Sequence, residues 1–489
     1  MRTTSLLLLA TLLGLALFGS GCARNPVTGG TDVTMVSEKG EIEQGRKAHE
    51  QVIQFYGVYE DQALQDYVNE IGQKLARASH RPDLEWHFTV VDADDINAFA
   101  LPGGYLYITR GIMAYLNSEA ELAAVLGHEI GHVTARHQVR QQSQQTLAGI
   151  LGAGAAIFTG SRAVADLANI GGQAMLSGYG RDMELEADRI GAEYLAKTGY
   201  DPQAMIDVIG VLKNQETFEI QRAREEGRDP KVYHGVFASH PSADQRLQQA
   251  VAMAKPSKDG NLRLGVEDYF RHIDGLAFGS SRQQGIVRDN RFYHAGLGIT
   301  IAFPKDWVVL NQRNRLLAHT RTQDALVQIT VDGRPEKLSP REYLQKQIGD
   351  KGMTGGEELN FNGMEGYAMI ARSGSPLDRG AGPVRYAAVY RDKLVFVFAA
   401  ASKSSVSSVP AHDRVFLSTF QTLRPLKPSE FPLAEPYRIR LVKAQNGVKM
   451  EQLATASPIP KYPVQTLRLM NDLYPKKDPA PGQIVKVVD

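Results

Sequence analysis

The chain has 489 residues, 43% apolar and 22% charged; these proportions exclude a disordered or collagen-like polypeptide, and the length favours two or three domains. Its 55 lysines and arginines are balanced by 54 aspartates and glutamates, so no basic excess supports a nucleic-acid partner. The single cysteine excludes an intrachain disulfide. Eight of the twelve histidines precede residue 241, so chemistry is expected in the first half of the chain.

Residues 1–21 have the pattern of a secretory signal peptide. One basic residue, Arg2, precedes an apolar run over residues 6–18, and the small residues 19–21 (GSG) follow as a cleavage site. The apolar run is too short to span a bilayer comfortably.

The only cysteine, Cys22, follows this segment directly. Its position resembles a bacterial lipobox, in which the cysteine is lipidated, although Gly19 stands where a lipobox usually has leucine. Ala23 after the cysteine resembles the sorting pattern for the outer membrane. We therefore expect an exported bacterial envelope protein, periplasmic and lipid-anchored at the outer membrane through Cys22, with residues 22–37 as a linker. An ordinary secretory signal beside an unrelated cysteine is the alternative.

Helical periodicity dominates residues 38–275, so the sequence predicts a mainly α domain with a small β-sheet. Ser118 and Glu121 match the S-x-x-E capping box at the start of one long helix. The predicted elements are a helical stretch at 38–78, strands at 86–91 and 105–110, the long helix at 117–145, an apolar segment at 147–158, and helices at 161–177, 182–197 and 242–254.

Strand patterns dominate after residue 275 and predict an α+β accessory domain at 290–425, in which no residue cluster has metal or catalytic spacing. Through FPKDW (303–307) and FLSTFQTLRPL (416–426), this region resembles the small α/β domain of the photosystem-II extrinsic-protein superfamily. The predicted elements are strands at 298–303, 325–331, 367–371, 385–390 and 394–399 and helices at 340–348 and 407–419.

The C-terminal segment, residues 437–489, has a β-α-α-β pattern that ends in APGQIVKVV. It resembles a LysM module, and this resemblance implies contact with peptidoglycan. The usual G-D-T-L start is replaced by residues 446–450 (NGVKM), so a degenerate module used for protein contacts is the alternative.

The sharpest chemical signal is HEIGH at 128–132, inside the long helix. Because residues four apart lie on one helical face, His128 and His132 can present two imidazoles to one metal ion. Glu129 can reach a water held on that ion. Zinc suits two neutral imidazoles plus a carboxylate, with a fourth position open for water in catalytic sites.

A second helical pattern, RDMELEADRIG at 181–191, offers the third ligand. Glu184 and Asp188 are four residues apart and share a face, whereas Glu186 is rotated by about 200°. With Glu184 on the metal, Asp188 can accept the N–H of a ligating histidine and so fix its tautomer. Helical phase favours Glu184 over the rival ligand Glu186. A solvated acidic face that binds no metal is the other alternative.

Three segments carry a family resemblance: HEIGHVTARH (128–137), E-x-E-A-D (184–188) and NAFALPGGYLYITRG (97–111). Together they resemble the gluzincins of peptidase family forty-eight over residues 23–275. The resemblance implies a zincin-type metalloprotease domain at 38–275 and zinc-dependent endopeptidase activity. The implied roles are zinc ligation by His128, His132 and Glu184 and general base catalysis by Glu129. The helical spacing adds Asp188 to the predicted catalytic residues, as the group that orients a ligand. The sequence lacks membrane-spanning helices, as the periplasmic lipoprotein branch of that family does, and it also lacks the helical repeats found in part of that branch.

The expected substrates are extended or unfolded polypeptides, in particular misassembled cell-envelope proteins. The strand at 105–110 is expected to be an edge strand that pairs with substrate, with a core strand as the alternative. Candidate donors to the oxyanion are Arg246, His137 and several tyrosines, which the sequence does not rank. A non-proteolytic assembly chaperone or scaffold and a peptidoglycan-binding lipoprotein are the competing functions.

His240 lies in the sequence S-H-P at 239–241, where the following proline favours an extended backbone. It is a candidate fourth zinc ligand that would displace water and keep the enzyme latent. A loop-stabilising or surface histidine is the alternative.

Overall fold

The computed structural model describes residues 22–34, 36–144, 179–228, 230, 246, 262–349, 352–377, 380–406 and 409–489. The chain divides into two compact units: Met1–Phe278 together with Arg438–Asp489, and Gly279–Tyr437. Among the described residues, we find no helix with the length and apolarity that crossing a membrane requires.

The helices are α1 (Glu38–Tyr56), α2 (Gln62–Arg77), α3 (Arg110–Met113), α4 (Glu119–Thr134), α5 (Arg181–Thr198), α6 (Gln203–Glu225), α7 (Val266–Ile273), α8 (Pro340–Ile348), α9 (Asp413–Phe420), α10 (Met450–Ala454) and α11 (Pro463–Met470). The strands of the first unit are β1 (Cys22–Arg24), β2 (Thr31–Val33), β3 (His87–Val91), β4 (Ala98–Leu101), β5 (Tyr105–Thr109), β6 (Ala277–Phe278), β20 (Tyr437–Lys443) and β21 (Ile484–Val488). Those of the second unit are β7 (Ile286–Arg288), β8 (Arg291–His294), β9 (Ile299–Ala302), β10 (Val308–Gln312), β11 (Arg315–His319), β12 (Ala325–Gly333), β13 (Met353–Phe361), β14 (Met364–Ala371), β15 (Val384–Arg391), β16 (Leu394–Ser402), β17 (Ser405–Val406), β18 (Val409–Pro410) and β19 (Arg424–Pro425).

The sheet beside α4 has three strands in the order β3-β5-β4. Strand β5 pairs in parallel with β3 and antiparallel with β4, so it is the central strand. The prediction that 105–110 forms the edge strand is therefore wrong, and the edge strand next to α4 is β4. Gly103 and Gly104 have φ angles of 79° and 93°, which allow the tight connection from β4 to β5.

Helix α4 begins at the predicted capping box. Ser118 Oγ accepts the backbone N–H of Glu121 at 3.1 Å. The Glu121 carboxylate reaches one residue farther back than expected, because its Oε2 accepts the backbone N–H of Asn117 at 2.7 Å. These two hydrogen bonds cap the first turn of the helix.

Helix α4 ends at Thr134, earlier than the single helix predicted to run to residue 145. Arg136 has a φ of 55°, and helical structure resumes at residue 137 and continues through residue 144, the last described residue of this stretch. The Arg136 guanidinium donates from Nε to Glu41 at 3.0 Å and from Nη2 to the carbonyl oxygen of Val36 at 3.2 Å. These contacts with distant residues hold the turn that interrupts the helix.

The C-terminal segment has the predicted strand-helix-helix-strand order. Strand β20 lies between β21 and β6 in a three-stranded sheet, and α11 packs against α6. Residues 438–489 therefore belong to the same compact unit as α4 and α5.

The second unit contains a seven-stranded antiparallel sheet in the order β10-β11-β12-β16-β15-β14-β13. Phe361, Phe396 and Phe398 from this sheet share a buried core with Phe416 and Phe420 of α9. A smaller sheet has the order β19-β9-β8-β7. The mixed helix and strand content predicted for this region is present. The sequence does not predict strands β7, β8, β10, β11, β13, β17, β18 and β19, and the helix predicted at 407–419 begins only at Asp413.

Candidate metal centre

Helices α4 and α5 approach closely because small residues face each other at two levels. A Cβ atom at Gly131 would lie 3.1 Å from the carbonyl oxygen of Ala187. One turn away, a Cβ atom at Gly191 would lie 3.0 Å from the backbone nitrogen of His128. Larger side chains at these glycines would push the helices apart. The close approach brings the side chains of α5 to the histidines of α4.

Three buried side chains converge between these helices: His128 and His132 from α4 and Glu184 from α5. Their ligand atoms all lie within 4.8 Å of one another. The two Nε2 atoms are 2.9 Å apart, and the carboxylate oxygens of Glu184 lie 3.6 Å from His128 Nε2 and 3.4 Å from His132 Nε2. The predicted helical phase thus places Glu184, and not Glu186, beside the two histidines.

His128 is oriented by Asp188, one turn beyond Glu184 on α5. His128 Nδ1 lies 2.9 Å from Asp188 Oδ1, and Arg246 donates to the two carboxylate oxygens from Nε at 2.7 Å and from Nη2 at 2.6 Å. Burial raises the pKa of Asp188, but Arg246 and His128 outweigh burial and hold the pKa below its ordinary value. The ionised carboxylate accepts Nδ1–H, which leaves the lone pair of His128 Nε2 facing Glu184.

His132 is held by a second chain of contacts. Its Nδ1 lies 2.8 Å from His137 Nδ1, and His137 Nε2 lies 3.1 Å from Glu186 Oε2. Arg140 donates to the same Glu186 oxygen at 3.0 Å. The hydrogen bond from His137, followed by the one from Arg140, lowers the pKa of Glu186 to about 2. An ionised Glu186 accepts Nε2–H of His137, so His137 Nδ1 is free to accept Nδ1–H of His132.

This donor set fits zinc. Two imidazole nitrogens and one carboxylate are ligands that zinc takes in catalytic sites with an open fourth position. Both histidines use Nδ1 for hydrogen bonds, so both have Nε2 available for a metal. Metal-bound histidines usually need a hydrogen-bond acceptor at the other ring nitrogen, and this chain supplies it at both Nδ1 atoms, from Asp188 and from His137.

Glu129 and His128 border a cavity of about 30 Å³. Its other walls include Ala98 of β4, Val125 of α4 and Met205 of α6, and Arg246 also contacts it. A cavity needs roughly 10–15 Å³ by this measure to hold one water molecule. The carboxylate of Glu129 thus lies beside a space with room for water.

The ring of Tyr179 stacks on the imidazole of His132. The two rings stack with centroids 4.0 Å apart and an interplanar angle of 17°. Burial, with smaller contributions from the charges of Glu129 and Glu184, raises the pKa of the Tyr179 phenol well above its ordinary value. Tyr179 therefore keeps its proton at neutral pH and can donate a hydrogen bond.

Two of the predicted oxyanion donors, Arg246 and His137, make other contacts in the structure. Arg246 contacts Asp188 and lies 3.1 Å from Glu184 through Nη1, while His137 is held between His132 and Glu186. The sequence did not predict the contact between His137 and Glu186. Its one indication was the helical phase, which puts Glu186 on a different face of the helix from Glu184. His240, together with the apolar segment at 147–158 and the helix predicted at 161–177, lies outside the described residues.

The segment that contains this site is similar to known proteins. Residues 62–254 match the model of peptidase family M48. The beta-barrel assembly-enhancing protease of Yersinia pestis is 33% identical over 209 residues, which are 40% of this chain and 40% of that protein. The mitochondrial metalloendopeptidase OMA1 of Arabidopsis thaliana is 33% identical over 175 residues, which are 34% of this chain and 35% of that protein. The chain thus matches less than half the length of these relatives.

Among solved structures, cyanobacterial PsbP from Synechocystis is 11% identical with a TM-score of 0.22, and the match covers 30% of this chain and 98% of that protein. A TM-score of this size is too low to establish a shared fold. The match to the family model includes the HEIGH helix, the acidic helix α5 and the edge strand β4. The part of the chain that is similar to peptidase family M48 therefore contains His128, Glu129, His132 and Glu184, the residues of the candidate metal centre.

Proposed function

We propose that this protein is a zinc-dependent endopeptidase that cleaves unfolded or misassembled proteins of the bacterial cell envelope. The observation that carries the proposal is the convergence of His128, His132 and Glu184 beside Glu129, within the part of the chain that is similar to peptidase family M48. The names of the relatives, a beta-barrel assembly-enhancing protease and a mitochondrial metalloendopeptidase, support both the chemistry and the class of substrate.

The buried carboxylates and imidazoles have different roles in the proposed mechanism. Zinc, when bound by this donor set, supplies a water of lowered pKa and polarises the scissile carbonyl. Glu129 accepts the proton of the attacking water and passes it to the leaving amine. Asp188 and His137 keep His128 and His132 in the tautomer that presents Nε2. Tyr179 is our candidate donor to the developing oxyanion, because its phenol lies against His132 and stays protonated.

The edge strand β4 is the proposed place for the substrate backbone. Within the described residues, β4 pairs with β5 on one side only, and it packs against α4, which carries the histidines. An extended peptide can add to such an edge through main-chain hydrogen bonds, which recognise little of the side-chain sequence. This mode of binding suits unfolded or misassembled polypeptides as a substrate class.

Cleavage of casein by the purified protein tests the proposal, with zinc content measured in parallel. Glu129→Gln is expected to keep one zinc per chain and to lower kcat by at least about 100-fold, since it removes the proton acceptor and no ligand. Tyr179→Phe is expected to keep zinc and to lower kcat with little change in KM. Full activity of Glu129→Gln would show that the proteolytic mechanism is wrong, and a zinc-loaded wild type without activity would favour an assembly chaperone or scaffold.

Anchoring through Cys22 and contact with peptidoglycan through residues 437–489 belong to the same proposal. Cys22→Ala is expected to move the protein from the membrane fraction to the soluble fraction without unfolding it, because no disulfide depends on this residue. The test of the glycan contact compares binding to purified sacculi with binding to outer membranes from which the peptidoglycan has been removed. Membrane retention of Cys22→Ala after a salt wash would contradict the lipid anchor.

A further inference from the structure

A lysine from the C-terminal segment lies beneath the start of the helix that carries the metal site. Lys486 is on strand β21, and its side chain is fully buried. Its Nζ donates to the carbonyl oxygen of Leu116 at 2.6 Å. Leu116 lies two residues before Ser118, the N-cap of α4. The amino group of Lys486 thus holds the loop that leads into this helix.

Glu121, in the first turn of α4, is the carboxylate with the largest electrostatic effect on the pKa of Lys486. Burial lowers the pKa of Lys486 and raises that of Glu121, and the attraction between the two opposes both shifts. Asp472 also attracts Lys486, while the ring of Phe270 lies 5.8 Å from Nζ. Removal of either partner would leave the other charge buried with less compensation, which is costly in a protein interior.

The backbone of Lys486 is fixed as firmly as its side chain. Asn471 accepts the Lys486 N–H at 2.7 Å and donates to the Lys486 carbonyl oxygen at 2.9 Å and to that of Leu467 at 2.7 Å. Leu469 and Tyr474, from the same segment, pack against Phe218 of α6. The strand that carries Lys486 is therefore attached to the helices that surround α4.

We propose that residues 438–489 are a positioning element of the catalytic unit, in which Lys486 fixes the start of the helix that carries His128, Glu129 and His132. From Glu119 to His128 the helix rises by about 14 Å, so a tilt at its first turn displaces the imidazoles. A displacement of about 1 Å at a reacting group can cost on the order of 100-fold in rate. The inference rests on the proposed function for its kinetic consequence, and on the geometry alone for its effect on the metal site.

The test compares Lys486→Met, Glu121→Gln and the double variant in the full-length protein. The matched control is Lys443→Met, because Lys443 is an exposed lysine of the same segment. Zinc affinity is measured by competition with a chelator of known affinity, and kcat and KM are measured on casein at a temperature where every variant is folded. We expect Lys486→Met to lower zinc affinity and kcat by about 10-fold or more with KM nearly unchanged. The double variant should keep this loss, because it still lacks the hydrogen bond to Leu116. Recovery in the double variant would show that the unpaired charge of Glu121, and not the lost loop contact, lowers affinity and kcat.

A folded Lys486→Met with wild-type zinc affinity and kcat, whatever its melting temperature, would show that Lys486 stabilises the fold without positioning the helix. If Lys486→Met does not fold, Asn471→Ala carries the test, since it removes the hydrogen bonds that fix the backbone of Lys486 and leaves the lysine side chain in place. Wild-type affinity and kcat in Asn471→Ala would then overturn the inference. Should the wild type bind zinc without cleaving casein, the proposed function fails, while zinc affinity still tests the positioning.

Discussion

Asp188→Asn removes a hydrogen-bond acceptor of His128, one of the proposed zinc ligands, while it preserves the size of the side chain. Asp188 is buried and accepts three hydrogen bonds, two from Arg246 and one from His128. An amide puts an NH₂ group where one carboxylate oxygen accepts, so a donor would face a donor. Loss of such a partner to a ligating histidine costs about 10- to 100-fold in metal affinity, or roughly 1.4–2.7 kcal/mol. The stability cost should fall at the lower end of about 3–5 kcal/mol, because Arg246 still pairs with Glu184.

Competition with a chromophoric chelator of known zinc affinity measures the first quantity, and urea unfolding measures the second. Asp182→Asn is the control, since Asp182 is on the same helix with its side chain 96% exposed. Its zinc affinity and stability should equal those of the wild type. A folded Asp188→Asn whose zinc affinity stays within twofold of the wild type would refute the role we assign to Asp188.

Three further predictions concern other buried or paired carboxylates. Glu186→Gln should keep zinc and should lower zinc affinity less than Asp188→Asn does in the same competition assay, because the imidazole of His137 lies between Glu186 and His132. Complete loss of zinc would show that Glu186 is a ligand. Glu41→Gln should lower the free energy of unfolding in urea by about 3–5 kcal/mol, because it leaves two buried guanidinium groups without their shared carboxylate; a change below about 1 kcal/mol contradicts this. Arg424 lowers the pKa of Glu430 from 4.5 to about 2, so this pair stabilises the fold above pH 4.5 and loses its effect as the pH falls towards 2. The difference in melting temperature between wild type and Glu430→Gln should therefore shrink from pH 7 to pH 2.5, whereas Glu358→Gln at an exposed site should show no such trend.

Local sequence signals located the start of α4 and the extent of α5 and α8. Ser118 caps α4 as its capping box indicates, α5 spans Arg181–Thr198 against the predicted 182–197, and α8 spans Pro340–Ile348 as predicted. Helical phase also separated Glu184 from Glu186. These features depend on residues within a few positions of one another, so the sequence alone contains the relevant information.

The features that could not be predicted depend on contacts between distant residues. The end of α4 is held by Glu41, which lies 95 residues before Arg136. The edge position of β4 depends on how three short strands pair, which their composition does not specify. The alternation in β21 gives no reason to bury Lys486, because its partners on α4 and in the preceding loop are more than 360 residues away.

Zinc analysis of two single variants tests the central claim most directly. The wild type, purified with zinc present, is expected to hold one zinc per chain, Glu184→Ala to hold none, and Glu186→Ala to retain it. This outcome follows from the convergence of Glu184 with His128 and His132, and from the contact of Glu186 with His137. A wild type without zinc, or loss of zinc only in Glu186→Ala, would contradict the account of the metal centre.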